Sequence, residues 1–94
     1  MHKKKFDAII LNSIDNVCTS VKQLKKSTEI YIKCENEMVS LFIQENIKLC
    51  HKISLKQIKK GENIVKYGEI IGVATSQINK GVQVHTHNII SLRG

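Results

Sequence analysis

The sequence predicts a mostly β fold made of short strands, tight turns and short helical turns. Several short segments alternate apolar and polar residues, as half-buried strands do. Glycines at positions 61, 68, 72 and 81 divide the second half of the chain, and such punctuation is typical of short strands joined by tight turns. A motif that we expect to end in a turn also recurs three times.

The predicted strands follow from apolar runs and from period-2 alternation. In chain order they are 6–11, 29–34, 38–43, 51–55, 63–67, 70–74 and 82–87. In the second of them, Ile30, Ile32 and Cys34 share one face. Residues 14–26 allow an amphipathic helix as well, because four apolar residues there have helical spacing. We favour a short strand through Val17 followed by a helical turn.

The recurrent motif has the form x-Gln-[Leu/Ile]-x-Lys-[Gly/Ser]-x-x-[Ile/Val]. It occupies residues 22–30, 56–64 and 76–84, at offsets of 34 and 20 residues, so it has no strict solenoid period. We expect each copy to bury its Leu or Ile in one turn of helix and to turn at the Gly or Ser. A strand then begins.

Length and charge favour one domain with an anionic partner. The 94 residues predict a single domain over 1–94, with 1–5 as a disordered basic tail. Fifteen basic and eight acidic residues give a net charge of +7, which favours anionic ligands or a Lys-rich solvated surface. Fourteen of the basic residues are Lys and only four residues are aromatic, so nucleic acid is an unlikely partner.

The cysteines and the N-terminus predict a cytoplasmic protein. Cys18, Cys34 and Cys50 lack the C-x-x-C spacing of zinc or redox sites, so we expect reduced, mostly buried thiols. The basic start is followed by Asp7 and Asn12 rather than by an apolar signal sequence. No apolar run is long enough to cross a membrane.

The segment 84–88 contains the strongest candidate site. On a strand, His85 and His87 would project from one face, about 6–7 Å apart at Cα. That spacing suits two imidazoles on one metal, or a metal ligand beside a proton carrier. Asn88 would fix a ring tautomer or contact a ligand. The alternative is a pair of exposed strand histidines without a function.

A second candidate is Lys66-Tyr67-Gly68. Gly68 allows a tight turn, at whose edge the Lys66 and Tyr67 side chains would meet a carboxylate. The alternative is a hairpin rim with a solvated lysine. His51-Lys52 is a third and weaker candidate.

Three ordered segments, strongest over 51–88, resemble one family. Residues 51–61 are similar to its His-Lys, short strand and Ile-x-x-Gly turn. Residues 64–72 resemble its Val-Ile-Lys-Tyr-Gly-x-x-Ile-Gly core, and 74–88 its Ala-x-x-x-Ile-x-x-Gly-x-x-Val-His-x-His-Asn close. The family is the altronate and galactarate dehydratases with the related sulfolactate sulfo-lyase, and the resemblance is to their small N-terminal SAF-like domain.

The resemblance implies a β-clip fold and a lyase that eliminates water or sulfite from a hydroxylated sugar acid. It implies catalytic roles for His85 and His87, which would also ligate a divalent metal, iron or manganese, shared with a partner. Substrate contacts are then expected from Lys66, Tyr67, Gly68 and Asn88.

The dehydratases of this family have a large catalytic portion after the domain, and the sulfo-lyase has separate small and large chains. We therefore expect a large partner subunit and no activity from this chain alone. Two other classes remain: a non-catalytic SAF module that binds carbohydrate or anions, and a small basic nucleic-acid-binding β protein.

Overall fold

The computed structural model describes residues 5–92 and is built from short strands, which confirms the mostly β prediction. The nine strands are β1 (Ala8–Ile10), β2 (Val17–Ser20), β3 (Glu29–Cys34), β4 (Glu37–Phe42), β5 (Lys52–Ser54), β6 (Asn63–Lys66), β7 (Glu69–Ala74), β8 (Gln83–Val84) and β9 (Ile89–Ser91). The described chain contains no helix that could cross a membrane. The predicted basic tail falls, apart from Lys5, outside the described residues.

The strands form two sheets. The larger has the order β4-β3-β1-β2-β5-β8, and the smaller has the order β6-β7-β9. Strands β1 and β3 pair in parallel, and the other pairs are antiparallel. Two hairpins, β3–β4 and β6–β7, therefore lie in different sheets.

The recurrent motif forms isolated bridges, so the predicted helical turns are wrong. Leu24 pairs with Ile47, and Ile58 pairs with Ile78. In each pair the two residues exchange backbone N–H···O bonds of 2.7–2.9 Å. The backbone is extended at these residues because its polar groups are satisfied by a distant copy of the motif, instead of by a helical neighbour.

The bridges also show a fourth copy, centred on Ile47, that the sequence pattern did not reveal. Each copy places a residue with left-handed φ three positions after its bridge residue. These residues are Ser27 (φ 68°), Cys50 (φ 68°), Gly61 (φ 89°) and Gly81 (φ 85°). Every copy of the motif therefore has this left-handed turn, and glycine is the turn residue in only two of the four copies.

Hydrogen bonds show that the fold is duplicated. We call residues 7–10 with 20–53 the first unit, and residues 16–19 with 54–84 the second unit. In the first, the Ser20 hydroxyl donates to the carbonyls of Lys48 and His51. In the second, the Ser54 hydroxyl donates to Asn79 and Val82.

The same correspondence continues at the start of each unit. Asp7 donates its N–H to Tyr31 and accepts from the Tyr31 N–H with its side chain. Asn16 has the same two bonds with Val65. The offset of 34 residues between the motif copies at 22–30 and 56–64 also relates Ser20 to Ser54 and Tyr31 to Val65.

The apolar core has two parts, one for each unit. The second-unit cluster contains Val17, Ile58, Ile64, Ala74, Ile78 and Val84. Their counterparts, Ala8, Leu24, Ile30, Ile43, Ile47 and Ile53, all belong to the first-unit cluster. Because these six inward positions are apolar in both units, both units bury the same face.

Three other predictions change. Residues 14–26 are not a helix, since β2 and the Leu24 bridge lie there. The predicted strand 82–87 ends at Val84, and β9 was not predicted.

All three cysteines are free, but only Cys18 is buried, and burial raises the pKa of its thiol to about 12. Cys18 is therefore a core residue and no thiolate at neutral pH.

Candidate functional site

Residues 85–88 form a turn, so the predicted strand face for His85 and His87 is wrong. The Asn88 N–H donates to the His85 carbonyl at 3.0 Å. The Asn88 side chain accepts from the His85 N–H at 2.9 Å and donates to the Gln83 carbonyl at 2.8 Å. These bonds reverse the chain immediately after β8, which leaves His85 half-buried and His87 exposed.

Asn88 itself is buried and its amide is bonded to backbone atoms on both sides. It fixes the turn that carries the histidines. A direct contact between Asn88 and a substrate stays a prediction, and the hydrogen bonds of its amide give it a positioning role.

The ring next to His85 is that of His51. The two ring centroids are 4.2 Å apart and the planes are inclined by 20°, so the rings are stacked. His51 Nδ1 is buried and has no hydrogen-bond partner among residues 5–92. Strand β5 begins next to His51 and pairs with β8, which ends next to His85, so the sheet itself brings the two histidines together.

Lysines surround this pair. Lys52 is half-buried, and burial followed by the nearby charge of Lys66 lowers the pKa of its ammonium group. Burial also lowers the pKa of His85, with further contributions from His51, Lys52, His87 and Lys48. The surroundings of these residues thus disfavour additional positive charge, and a bound anion would reduce the repulsion between the positive groups.

The turn Lys66-Tyr67-Gly68 lies at the tip of the β6–β7 hairpin, as predicted for a tight turn. Tyr67 and Gly68 have φ of 57° and 73°, the pair of positive values that a type I′ hairpin requires. A Cβ on Gly68 would also lie 2.7 Å from Asn12 Nδ2. The backbone favours glycine here, whereas the Asn12 side chain is exposed and could move aside.

A buried carboxylate holds this tip. Asp15 is 8% exposed and accepts hydrogen bonds from the N–H groups of Asn12, Tyr67 and Gly68, at 3.1, 3.0 and 2.8 Å. The carboxylate that meets the turn is thus one of the protein's own, and it binds backbone rather than the Lys66 or Tyr67 side chain. Asp15 positions the tip, and the sequence analysis missed it because nothing local links it to residues 67–68.

The side chains of the tip remain accessible. Lys66 Nζ lies 4.9 Å from the centroid of the Tyr67 ring, and Tyr67 is 60% exposed. Lys66 also lies near enough to Lys52 for its charge to lower the Lys52 pKa, so the hairpin tip borders Lys52. The His51-Lys52 segment, the weakest of the three candidates by sequence, lies at the centre of the group.

We call His51, Lys52, Lys66 and His85 the cationic cluster. The described residues include no group of three or more His, Cys, Asp or Glu side chains that could hold a metal ion. The His51 and His85 rings are nearly parallel, and the neighbouring ammonium groups repel a cation. The described residues by themselves therefore do not fit a divalent metal.

The duplicated fold and the cationic cluster define a small β domain that presents an anion-attracting surface. The family model for the altronate/galactarate dehydratase SAF domain matches residues 6–92. The chain belongs to this family, and its duplicated β architecture is consistent with the SAF β-clip.

The relatives include single-chain enzymes and an enzyme subunit. The chain is 38% identical over 80 residues to altronate dehydratase of Escherichia coli and 35% identical over 80 residues to that of Bacillus subtilis; each match covers 85% of this chain and 15% of the relative. It is 35% identical over 57 residues to (2R)-sulfolactate sulfo-lyase subunit alpha of Paracoccus pantotrophus, covering 61% of this chain and 85% of that subunit. The chain thus spans a small part of the dehydratases' length.

Proposed function

We propose that this chain is the small domain or subunit of a lyase that eliminates water or sulfite from a hydroxylated sugar acid. The cationic cluster would bind a carboxylate of the substrate, and a larger subunit would complete the site. The observation that supports this proposal best is the clustering of two lysines and two stacked histidines on a domain of a dehydratase family.

The chemistry follows from the groups present. A carboxylate relieves the repulsion between Lys52 and Lys66, and their charges stabilise the enediolate that forms when the adjacent carbon loses its proton. A half-buried histidine with a lowered pKa, such as His85, is neutral near pH 7 and accepts that proton. The electron pair forms the C=C bond as the bond to the leaving oxygen or sulfur breaks. In dehydration, the departing hydroxyl takes a proton from the imidazolium of His87, the general acid of this proposal, and leaves as water.

His87 and the Tyr67 side chain are exposed, so in this proposal His87 meets the leaving group at the boundary with the larger subunit, and Tyr67 faces that subunit or the distal part of the substrate. A divalent metal, iron or manganese, would need most of its ligands from that subunit. The partner's surface beside this domain would be acidic, opposite in sign to the net charge of +7.

The anion site is tested on this chain with two matched ligands. Galactarate carries two carboxylates, and galactitol has the same carbon chain without them. We expect galactarate to move the NMR resonances of the cationic cluster, and galactitol to leave them unchanged. Lys52→Gln should weaken galactarate binding by about tenfold, the equivalent of about 1.4 kcal/mol. The control Lys60→Gln, at an exposed lysine of the motif copy in residues 56–64, should not weaken galactarate binding.

Equal responses to both ligands, or equal effects of both substitutions, would contradict the anion site. A steep loss of binding to an oligonucleotide with salt, together with no response to galactarate, would instead support the nucleic-acid alternative. Binding of galactarate without elimination activity in any complex would favour the non-catalytic SAF module.

Catalysis is tested in the complex with the larger subunit. We expect no turnover from this chain alone. In the complex, His85→Ala and His87→Ala should each lower turnover by about 10²-fold, the scale of a lost general acid or base. Full activity of both variants would show that the histidines are not catalytic, and full activity of the chain alone would exclude the need for a partner.

A further inference from the structure

The small sheet β6-β7-β9 has one face without a covering layer. Its register places Asn63 opposite Val73 and Val73 opposite Ile90. A register shift next to Ile64 then pairs Val65 with Ile70, which turns Ile70 to the same side as Val65. We call Asn63, Val65, Ile70, Val73 and Ile90 the outer face of the small sheet.

This outer face is apolar and accessible. Ile70 is 48% exposed and Ile90 is 61% exposed, and Leu92, just after β9, is 56% exposed. Val65 and Val73, between them, are partly exposed. None of the five residues is charged, in a chain in which 24% of the residues are charged.

The corresponding face of the other hairpin shows that the duplicated fold does not require this composition. The register of β3 and β4 pairs Glu29 with Phe42, Tyr31 with Ser40 and Lys33 with Met38. That face includes two charged residues. The first unit therefore exposes an ordinary mixed surface where the second unit exposes a continuous apolar one, which is the pattern of a contact surface.

We infer that the outer face of the small sheet is where the large catalytic portion of the lyase docks. The inference rests on the proposed function, since it names the surface that meets the proposed partner. In the altronate dehydratases the matching segment is an N-terminal region that makes up 15% of the chain. The family domain extends to residue 92, so in those relatives the remaining chain follows the position of β9.

The large portion therefore leaves the domain beside Ile90 and Leu92 in the single-chain relatives. Consecutive parts of a chain are usually adjacent in space, which favours a position of the large portion near this face. A separate large subunit that preserves the same arrangement would cover the same residues. Ile90, at the most exposed position, would lie at the centre of the contact.

Site-specific photocrosslinking in the organism that encodes the chain tests this inference. The full chain would carry p-benzoylphenylalanine at position 90, at position 70 or, as the matched control, at Phe42, which is 52% exposed on the corresponding face of the first unit. We expect positions 90 and 70 to crosslink to a protein homologous to the large remainder of altronate dehydratase, and position 42 not to do so. Mass spectrometry identifies the captured chain.

Capture of that protein from position 42 only would overturn the inference and leave the proposed function intact. Crosslinks from position 90 to a second copy of this chain would also overturn it. No lyase subunit captured from any position would contradict both the inference and the partner on which it rests.

A charge substitution supplies a second test. Ile90→Lys should reduce co-purification with the large subunit by at least about tenfold, because a lysine on a dry apolar contact loses its hydration. Phe42→Lys should leave co-purification unchanged. Both variants should keep the β-type circular dichroism spectrum, and equal retention of the partner by both would overturn the inference.

Discussion

The two units of the fold share a backbone but differ in the residues they expose. Ser20 and Ser54 make equivalent bonds, and all six residues of the second-unit core cluster have counterparts in the first-unit cluster. Yet the motif copy centred on Ile47 is followed by His51 and Lys52, where the copy centred on Ile78 is followed by Val82 and Gln83. The residues that maintain the fold are those on which the copies agree, and the cationic cluster lies where they differ.

The hairpins of the two units show the same contrast. The β3–β4 tip has Glu35 at positive φ, whereas the β6–β7 tip has both Tyr67 and Gly68 there and is held by the Asp15 carboxylate. The second tip is therefore fixed by a buried side chain, and its Lys66 lies near enough to Lys52 to lower the pKa of that ammonium group. The cationic cluster combines residues of both units, since His51 and Lys52 belong to the first and Lys66 to the second.

The largest effect that we expect concerns two glycines at equivalent turns. A Cβ on Gly81 would clash with the Phe42 carbonyl oxygen, whereas a Cβ on Gly61 has no neighbour within 4 Å. Gly61→Ala should cost only the left-handed conformation, about 1 kcal/mol in the free energy of unfolding. Gly81→Ala should cost about 2–4 kcal/mol, because overpacking is added.

Urea denaturation of both variants measures this difference directly. Equal losses would mean that the close approach of Gly81 to the Phe42 carbonyl has no energetic effect, and that these two turns of the second unit are packed alike.

A smaller effect is expected from replacing His51, which follows the motif copy centred on Ile47, by the valine at the equivalent position of the copy centred on Ile78. His51→Val should preserve the fold, with a change in unfolding free energy within about 1 kcal/mol, because the same backbone position accepts Val82 in the other unit. Galactarate affinity should fall by about tenfold, or about 1.4 kcal/mol. Calorimetric titration with galactarate measures it, and unchanged affinity would remove His51 from the anion site.

The smallest effect is a pH dependence of stability. The pKa of His85 is lowered in the folded protein from its ordinary value of 6.5, first by burial and then by neighbouring positive groups. The unfolded chain therefore takes up this proton first, and the folded state loses stability as pH falls below about 6.5. His85→Gln should reduce the loss between about pH 7 and 5.5, since the variant lacks the titrating group.

Unfolding curves at the two pH values check this prediction. An identical loss in His85→Gln would assign the dependence to another group.

The sequence by itself determined the local features of this protein. Alternation placed Ile30 and Ile32 inwards, and β3 has the predicted bounds. Gly68 marked a tight turn, and the Gln-[Leu/Ile]-x-Lys-[Gly/Ser] motif marked three of the four recurrent turns. These features depend on residues a few positions apart, whose spacing is fixed by backbone geometry.

Only the tertiary structure decided which segments meet. The bridges Leu24–Ile47 and Ile58–Ile78 replaced predicted helical turns, and the turn closed by Asn88 replaced a predicted strand. The pairing of β5 with β8 brought His51 to His85, residues separated by 34 positions. The period of a strand specifies which of its side chains share a face. Which strand it pairs with depends on burying distant apolar residues together, and this pairing assembled the cationic cluster.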